Sequence, residues 1–477
     1  MAPAAQTSGK TATTALSPES LTDLRAQLRG SLCLPGENGY DEARTIWNAM
    51  IDRRPACIVR AAGANDVLRA VEFARRNGLR LAVRGGGHNI AGNAVCDGGL
   101  MLDLTPMKSV RVDQGKRTVR VEPGVTLGEL DRETQALGFA VPVGINSTTG
   151  IAGLTLGAGF GWISRSLGLS IDNLIGADVI TADGRLIHAS ETDEPELFWA
   201  IRGGGGNFGV VTSFEFKLHR VGPEVLSGLV IHPIAQAGEL LRAYRRLSAE
   251  APDELAVWFV LRKAPPLPFL PPEWHGKEIL AFAACYHGDL AKGEPAMAPL
   301  RALGKPIADV IAPHPFVAWQ AILDPLLAPG MRNYWKSHSF KTISDGAIDT
   351  LIAFAHKLPS PECEIAFAQL GGAINRVPAG ATAYPHRDLQ YLVNIHTRWS
   401  RAADDQACIA WARSLFDALT PHATGGVYVN FMPEDETQRV KGGAYGPNYE
   451  RLAKIKGKYD PDNLFQMNHN IAPALVS

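Results

Sequence analysis

Glycine gathers on this chain in clusters rather than singly: "RGGGH" at Arg84–His88, the run from Gly144 to Gly161, "GGGGNFG" from Gly203 to Gly209, and the Gly98-Gly99 pair. Without a Cβ, backbone N–H groups can come close to a ligand, and successive N–H groups in such turns form anion nests. One cluster is explained by a turn. Several in the same half of a chain predict a ligand with more than one phosphate, held by backbone. "GAGFG" at 157–161 has a superficial likeness to the dinucleotide turn of a doubly wound sheet. The strand, G-x-G-x-x-G turn, helix and later acidic residue of that site do not assemble here.

The first cluster ends a legible unit. "ACIVRAAGANDVLRAVEFARRNGLRLAVRGGG" reads as a strand, a helix with Val67, Ala70, Val71 and Ala74 on one face, a stop at Gly78 and a second strand. A helix is expected in "SPESLTDLRAQL" and another near 126–137, with short strands in "LMLDLTPM" and "VRVDQGKRTVRVEPG". "ADVITADGRLIHAS" is a hairpin turning at Asp183-Gly184. Beyond Val221 the texture changes. "ELAVWFVLRK", "EILAFAACYHG", "EIAFAQLGG", "LQYLVNIHTRW" and "GGVYVNFM" read as strands among helices such as 401–420, predicting an antiparallel sheet with helices on one side. The proline-punctuated "LRKAPPLPFLPPEWHG" is expected on the surface.

A chain of 477 residues allows two to three domains. Its 47 basic and 48 acidic side chains lack the basic excess of a nucleic-acid binder or a polybasic membrane-surface protein, so the expected partner is a small molecule. The six cysteines are scattered with no C-x-x-C pair, which predicts neither a zinc knuckle nor a disulfide framework. No metal site is expected. The small, polar first twenty residues contain no apolar signal-peptide core, and no stretch approaches the ~20 apolar residues of a membrane span. The expectation is a cytoplasmic protein, independent of nucleic acid and membrane, with a flexible tail at 1–20.

"RGGGHNIAG", "GLMLDLTPMKSVRVD", "GINSTTGIAGLTLGAGFGWISRSLGLSIDNLIGADVITADG", "LFWAIRGGGGNFGVVTSFEF" and "YERLAKIKGKYDPDNLFQMNHNI" occur in that order from about Ala56 to the C-terminus. Together they resemble the FAD-linked oxidases of the vanillyl-alcohol oxidase and p-cresol methylhydroxylase (PCMH) superfamily. Within it the likeness is to the berberine bridge enzyme-like branch and bacterial 6-hydroxy-D-nicotine oxidase-like proteins. The resemblance implies an α+β, two-domain PCMH-type fold: an FAD-binding domain over 21–222, a substrate domain built on an antiparallel sheet over 223–439, and a C-terminal segment, 440–477, returning to the FAD domain.

It further implies that His88 bonds covalently to the flavin, among neighbours kept small because the pyrophosphate follows the same loop. An imidazole, largely neutral near pH 7, can act as a nucleophile without prior activation. Many relatives carry a second anchor, a cysteine, where this chain has Asn146; an amide forms no thioether, so one covalent bond is expected. The implied cofactor contacts are Arg84, Gly85, Gly86, Gly87, His88 and Asn89; Gly144, Asn146, Thr148, Thr149, Gly150, Gly153 and Leu154; Gly157, Gly159 and Gly161; Gly209 and Val210; and Asn468 and Asn470.

Flavin oxidation moves a hydride and needs a destination for the accompanying proton. Strand alternation in "LQYLVNIHTRW" puts Leu392, Asn394 and His396 on one face and Tyr391, Val393 and Ile395 on the other. Aligned on Trp399, His396 falls where relatives place a substrate-facing glutamate or glutamine, and Asn394 where some have lysine. Phe431, in "YVNFM", replaces the tyrosine that serves alcohol-oxidising relatives as a phenolate, which shifts the expectation towards amines or activated carbons. With Gln369 these form the candidate catalytic set. Whether Tyr334, Trp335 and Lys336 line the pocket or the core is left open, and Tyr445 and Tyr449 are assigned to packing. The implied activity is oxidation of a small molecule by covalent FAD with O2 as acceptor. The alternative is a secondary-metabolism tailoring enzyme that couples oxidation to cyclisation or rearrangement.

Overall fold

The βαβ unit delivers its glycine loop as expected. Cys57–Arg60 and Leu81–Arg84 both run parallel to Leu100–Asp103, which lies between them in a four-stranded sheet completed by antiparallel Ser31–Cys33. The helix Ala64–Arg76 covers this sheet, and Val67, Ala70, Val71 and Ala74 are all fully buried. Each valine buried in this way contributes roughly 1.5–3 kcal/mol. Arg84, the last residue of its strand, starts the glycine turn. The computed structural model describes residues 16–474.

A five-stranded antiparallel sheet follows, in the order Val110–Asp113, Thr118–Val121, Val210–Lys217, Leu174–Ile180 and Leu186–Ser190. Its central strand emerges directly from the Gly203–Gly209 loop. Residues 1–15 of the proposed tail lie outside the described residues. The tail's last positions are not loose: Ser17 caps the helix Pro18–Gln27 by accepting the Ser20 N–H at 3.1 Å.

The second half forms an eight-stranded antiparallel sheet. Its longer strands run in the order Glu224–Pro233, Glu278–Tyr286, Leu255–Lys263, Glu364–Gln369, Tyr391–Trp399 and Arg332–Phe340. Helices Ala237–Glu250, Asp345–Ala355 and Asp405–Leu419 pack on one face through Leu241, Tyr244, Ile348, Leu351 and Leu415. The opposite face turns towards the glycine loops.

Two sequence expectations fail here. "GGVYVNFM" is not a strand: Val429–Phe431 forms one 3-10 turn. Tyr428 and Asn430 bond the glycine run with their side chains, the Asn430 amide donating to the Leu154 carbonyl at 3.2 Å. The proline-rich connection after Lys263 is more than a surface loop, since Ala264 and Leu270 are buried and Pro265 and Leu267 line a cavity.

The chain ends by returning to the first half. Helix Tyr449–Tyr459 buries Leu452 and Ile455 with Phe198 and Phe208. The turn at "DPDNLF" is capped: the Asp460 carboxylate accepts the N–H groups of Leu464 (2.7 Å) and Phe465 (2.9 Å).

Candidate active site

Between the glycine loops and the open face of the eight-stranded sheet lies a cavity of about 380 Å³, within the range of small-molecule and cofactor sites. Its first wall is backbone. Gly86 and Gly150 pack so closely that a Cβ on either would collide with the other's main-chain nitrogen, which joins the two loops. At Gly153 a Cβ would find nothing within 4 Å, so bare backbone faces the space. At Gly157 it would strike the Asn430 amide.

His88 stands at the junction of these loops. Its Nε2 lies 3.1 Å from Thr148 Oγ1, and its ring stacks on Trp47 with centroids 5.0 Å apart. Burial pushes its pKa down to about 4, so the imidazole is neutral at pH 7. Asn146, at the second-anchor position, turns its amide into the loop: Oδ1 accepts from Thr148 N at 3.1 Å and from Thr148 Oγ1 at 2.8 Å. Asn146 therefore sets the hydroxyl lying against His88.

The facing wall belongs to Tyr391–Trp399 and its neighbours. Alternation works as expected: Leu392, Asn394 and His396 line the cavity, while Tyr391, Val393 and Ile395 join the core beneath. His396 pairs across the sheet with Glu364 on one side and Trp335 on the other. Its Nδ1 lies 3.1 Å from Glu364 Oε1, and Arg262 Nη1 donates to Glu364 Oε2 at 2.6 Å. Burial pushes the Glu364 carboxyl up, but the Arg262 charge and the His396 bond outweigh it and hold it at about 2. An ionised carboxylate only accepts, so the shared proton sits on Nδ1. His396 Nε2, buried and without a protein partner, is left facing the cavity.

Aromatic rings complete the enclosure. Trp335 meets His396 edge-on at 4.6 Å, Trp47 at 5.6 Å and Phe431 at 5.5 Å, and Tyr428 meets Phe431 at 4.9 Å. Tyr428 OH accepts the Gly159 N–H at 3.1 Å, and burial pushes its phenol up to about 12, so it stays protonated at neutral pH.

Several expected contacts are corrected. Gln369 lies on the core face of its strand, where Oε1 accepts Val257 N–H at 2.8 Å and Nε2 donates to Ser248 O at 2.8 Å. Arg84 turns from the cavity to bond Ala43 O at 2.6 Å and face Asp103. The N–H groups of Gly159 and Gly161 are taken by Tyr428 OH and Ser164 Oγ. Asn470 is exposed, whereas Asn468 lines the cavity and donates to Gly206 O at 3.1 Å. Thr148 reaches the site through His88. The cavity is lined by Gly85, Gly86, Gly87, Asn89, Gly144, Thr149, Leu154, Gly209, Val210 and Phe431.

Sequence reasoning missed Glu364, Arg262, Trp47, Tyr428 and His469, and placed Tyr445 only in packing. Tyr445 OH and His469 Nε2 are both buried, unpartnered and on the cavity wall. Trp335, left open between pocket and core, faces the cavity. Tyr334 and Lys336 point to the far side, bonded to Asp435 and Glu436.

FAD needs main-chain donors for a diphosphate, a slot for a flat ring system and polar partners for the ring edge. Side-chain-free backbone at Gly85–Gly87 and Gly153, aromatic walls, and the unpartnered atoms of Tyr445 and His469 meet those needs. The comparisons agree. Residues 55–190 match the FAD binding domain family model, and residues 427–472 match that described as berberine and berberine like. An FAD-linked oxidoreductase of Dictyostelium discoideum is 34% identical over 90% of this chain and 91% of its own length. The (R)-6-hydroxynicotine oxidase of Paenarthrobacter nicotinovorans is 31% identical over 94% of this chain and 97% of its own. The solved 6-hydroxy-D-nicotine oxidase of Arthrobacter nicotinovorans superposes with a TM-score of 0.85 at 30% identity, covering 94% of this chain and 98% of that one. This chain belongs to the berberine bridge enzyme-like FAD-linked oxidoreductases.

Proposed function

We propose that the protein is an oxidase of an amine or activated alcohol carbon in a small organic substrate: His88 and the glycine loops would hold FAD, bonded covalently to His88, and FAD would supply the hydride acceptor and the route of the electrons to O2, giving hydrogen peroxide. The observation that carries this reading is His396 Nε2: a buried lone pair on the cavity wall, backed through Nδ1 by the ionised Glu364. In this role His396 accepts the proton that leaves the substrate N–H or O–H. Glu364 holds the tautomer and Arg262 holds Glu364. Asn394 Oδ1, also unpartnered, orients the same polar group of the substrate. Phe431 and Trp335 exclude water.

Phe431 supplies no phenolate, and the Tyr428 phenol keeps its proton. An amine, with its own lone pair, asks less of His396 than an alcohol does, and this favours C–N oxidation. All six cysteines are free thiols, which suits a cytoplasmic setting.

The test is direct. Under anaerobic conditions a substrate amine or alcohol bleaches the yellow protein, and air restores the colour with release of peroxide. A product two hydrogens lighter with its skeleton unchanged supports the oxidase. A ring-closed or rearranged product assigns the tailoring reaction instead. Failure of every amine and alcohol to bleach the flavin defeats both.

A further inference from the structure

The cavity does not end at the polar pair. Cross-strand register carries its floor from Asn394 to Ala366, then Val260, Ala281 and Ile231, each directly opposite the next on adjacent strands. Partners directly opposite share a sheet face. At ~4.8 Å per strand this row reaches ~19 Å from the amide of Asn394. The floor is polar at one end only. Ala366 and Ala281 leave depth between the larger residues, and all four apolar members line the cavity.

The neighbouring row is His396, Glu364, Arg262 and Ile279. Its two charges are spent on each other, Arg262 to Glu364 at 2.6 Å. Beyond Arg262, whose Nη1 is taken by Glu364, the far arm offers a ligand the carbon of Val260, Ala281, Ile231 and Ile279. Leu267 packs against Ile231, Ile279 and Ala281 at its end, and Leu323 and Leu326, from the connection after Phe316–Gln320, line the same cavity. Ser147 N bonds Asp324 Oδ1 at 3.0 Å, tying the leucine-bearing segment to the Asn146 loop.

A second observation lies outside the arm. Among the described residues, few large hydrophobic side chains are exposed, and Phe269 (39%) and Ile322 (45%) are two of them. They stand on the connections that also carry the cavity-lining Leu267 and Leu323, an exposed apolar character unlike the polar groups a sugar-handling site needs.

We infer that the arm over Val260, Ala281 and Ile231 is a subsite for an extended hydrocarbon or aromatic portion of the substrate, so that the substrate is lipophilic with its oxidisable carbon at one end. This rests on the proposed oxidation beside Asn394 and His396, and the experiment separates the two. Probes are 4-alkylbenzamides with chains of zero to six carbons, which have no amine or alcohol carbon to oxidise, titrated into the holoenzyme by calorimetry. In parallel, 4-alkylbenzylamines of the same lengths are followed by anaerobic flavin bleaching.

The arm predicts that benzamide affinity rises about threefold to fourfold per methylene until the arm is full. Ala281→Leu removes the rise beyond the second carbon. Val260→Phe, which fills the arm from the adjacent strand, does the same and guards against a folding defect in the first variant. Affinity that is flat with chain length, or a rise untouched by both variants, overturns the subsite. Rising benzamide affinity without bleaching by any benzylamine keeps the subsite and counts against amine oxidation.

Discussion

Glu364 Oε1 and His396 Nδ1, on adjacent strands, lie 3.1 Å apart across a directly paired register position. The pairing fixes which imidazole nitrogen carries the proton and leaves Nε2 free towards the cavity. Glu364→Gln keeps the shape and removes the charge. The expected result is flavin reduction by a bleaching amine about 10²-fold slower, within the range of general-base contributions, with unchanged FAD content. Stopped-flow reduction of the two proteins measures the rate. A reduction rate equal to that of the unsubstituted protein removes Glu364 from the mechanism.

His88 and Thr148 give a second prediction. In His88→Ala the glycine loops remain, so FAD binds without a bond and washes off in acid. Thr148→Val removes the hydroxyl 3.1 Å from Nε2, and covalent attachment slows without being abolished. Flavin fluorescence of the denatured protein band, followed over time after FAD is added, reads both outcomes.

Stability should peak near neutrality, because two opposed effects meet there. Burial lowers His287, His338 and His469 to about 4. Between pH 6.5 and 4 the unfolded chain thus binds more protons than the folded one, and stability falls as pH falls. Burial raises Asp131 to about 7, against hydrogen bonding from Gln320. Its folded form keeps a proton that the unfolded form loses above ~3.8, so this contribution falls as pH rises towards 7. Asp131→Asn removes that second loss. It raises the melting temperature at pH 8, by up to about 4 kcal/mol of stability, and has little effect at pH 4. Thermal scans of both proteins at the two pH values check the sign.

The parts legible in sequence were those in which one local pattern fixes one outcome. Glycine spacing located the Gly85–His88 and Gly150–Gly153 backbone, and period-two alternation put Asn394 and His396 on one face. The same rule misplaced "YVNFM", because an alternating apolar stretch says nothing about whether a neighbouring strand exists. Here Tyr428 OH meets the Gly159 N–H in place of a partner strand. Gln369 was misread by parity: Glu364, Ala366 and Ala368 face the cavity, so position 369 faces the core. Glu364 and Trp335 were invisible as neighbours of His396 because strand order and register, not spacing along the chain, bring them together.

The return of the C-terminal helix depends on a fully buried pair. Lys456 Nζ donates to Asp460 Oδ2 at 2.6 Å and to Asn207 O at 2.8 Å, and neither side chain of the ion pair has solvent exposure. One ammonium thus ties Tyr449–Tyr459 to the Gly203–Gly209 loop, whose Gly205 and Gly206 line the cavity. Lys456→Met leaves the Asp460 charge buried with only its two backbone N–H partners, a loss of about 3–5 kcal/mol. The melting temperature falls, and because the loop loses one of its ties to the C-terminal segment, FAD retention in a His88→Ala background falls with it. Adding Asp460→Asn removes the stranded charge while an amide oxygen can still accept from Leu464 or Phe465 N–H. The double variant regains part of the stability but not the link to Asn207, so the melting temperature recovers further than FAD retention does.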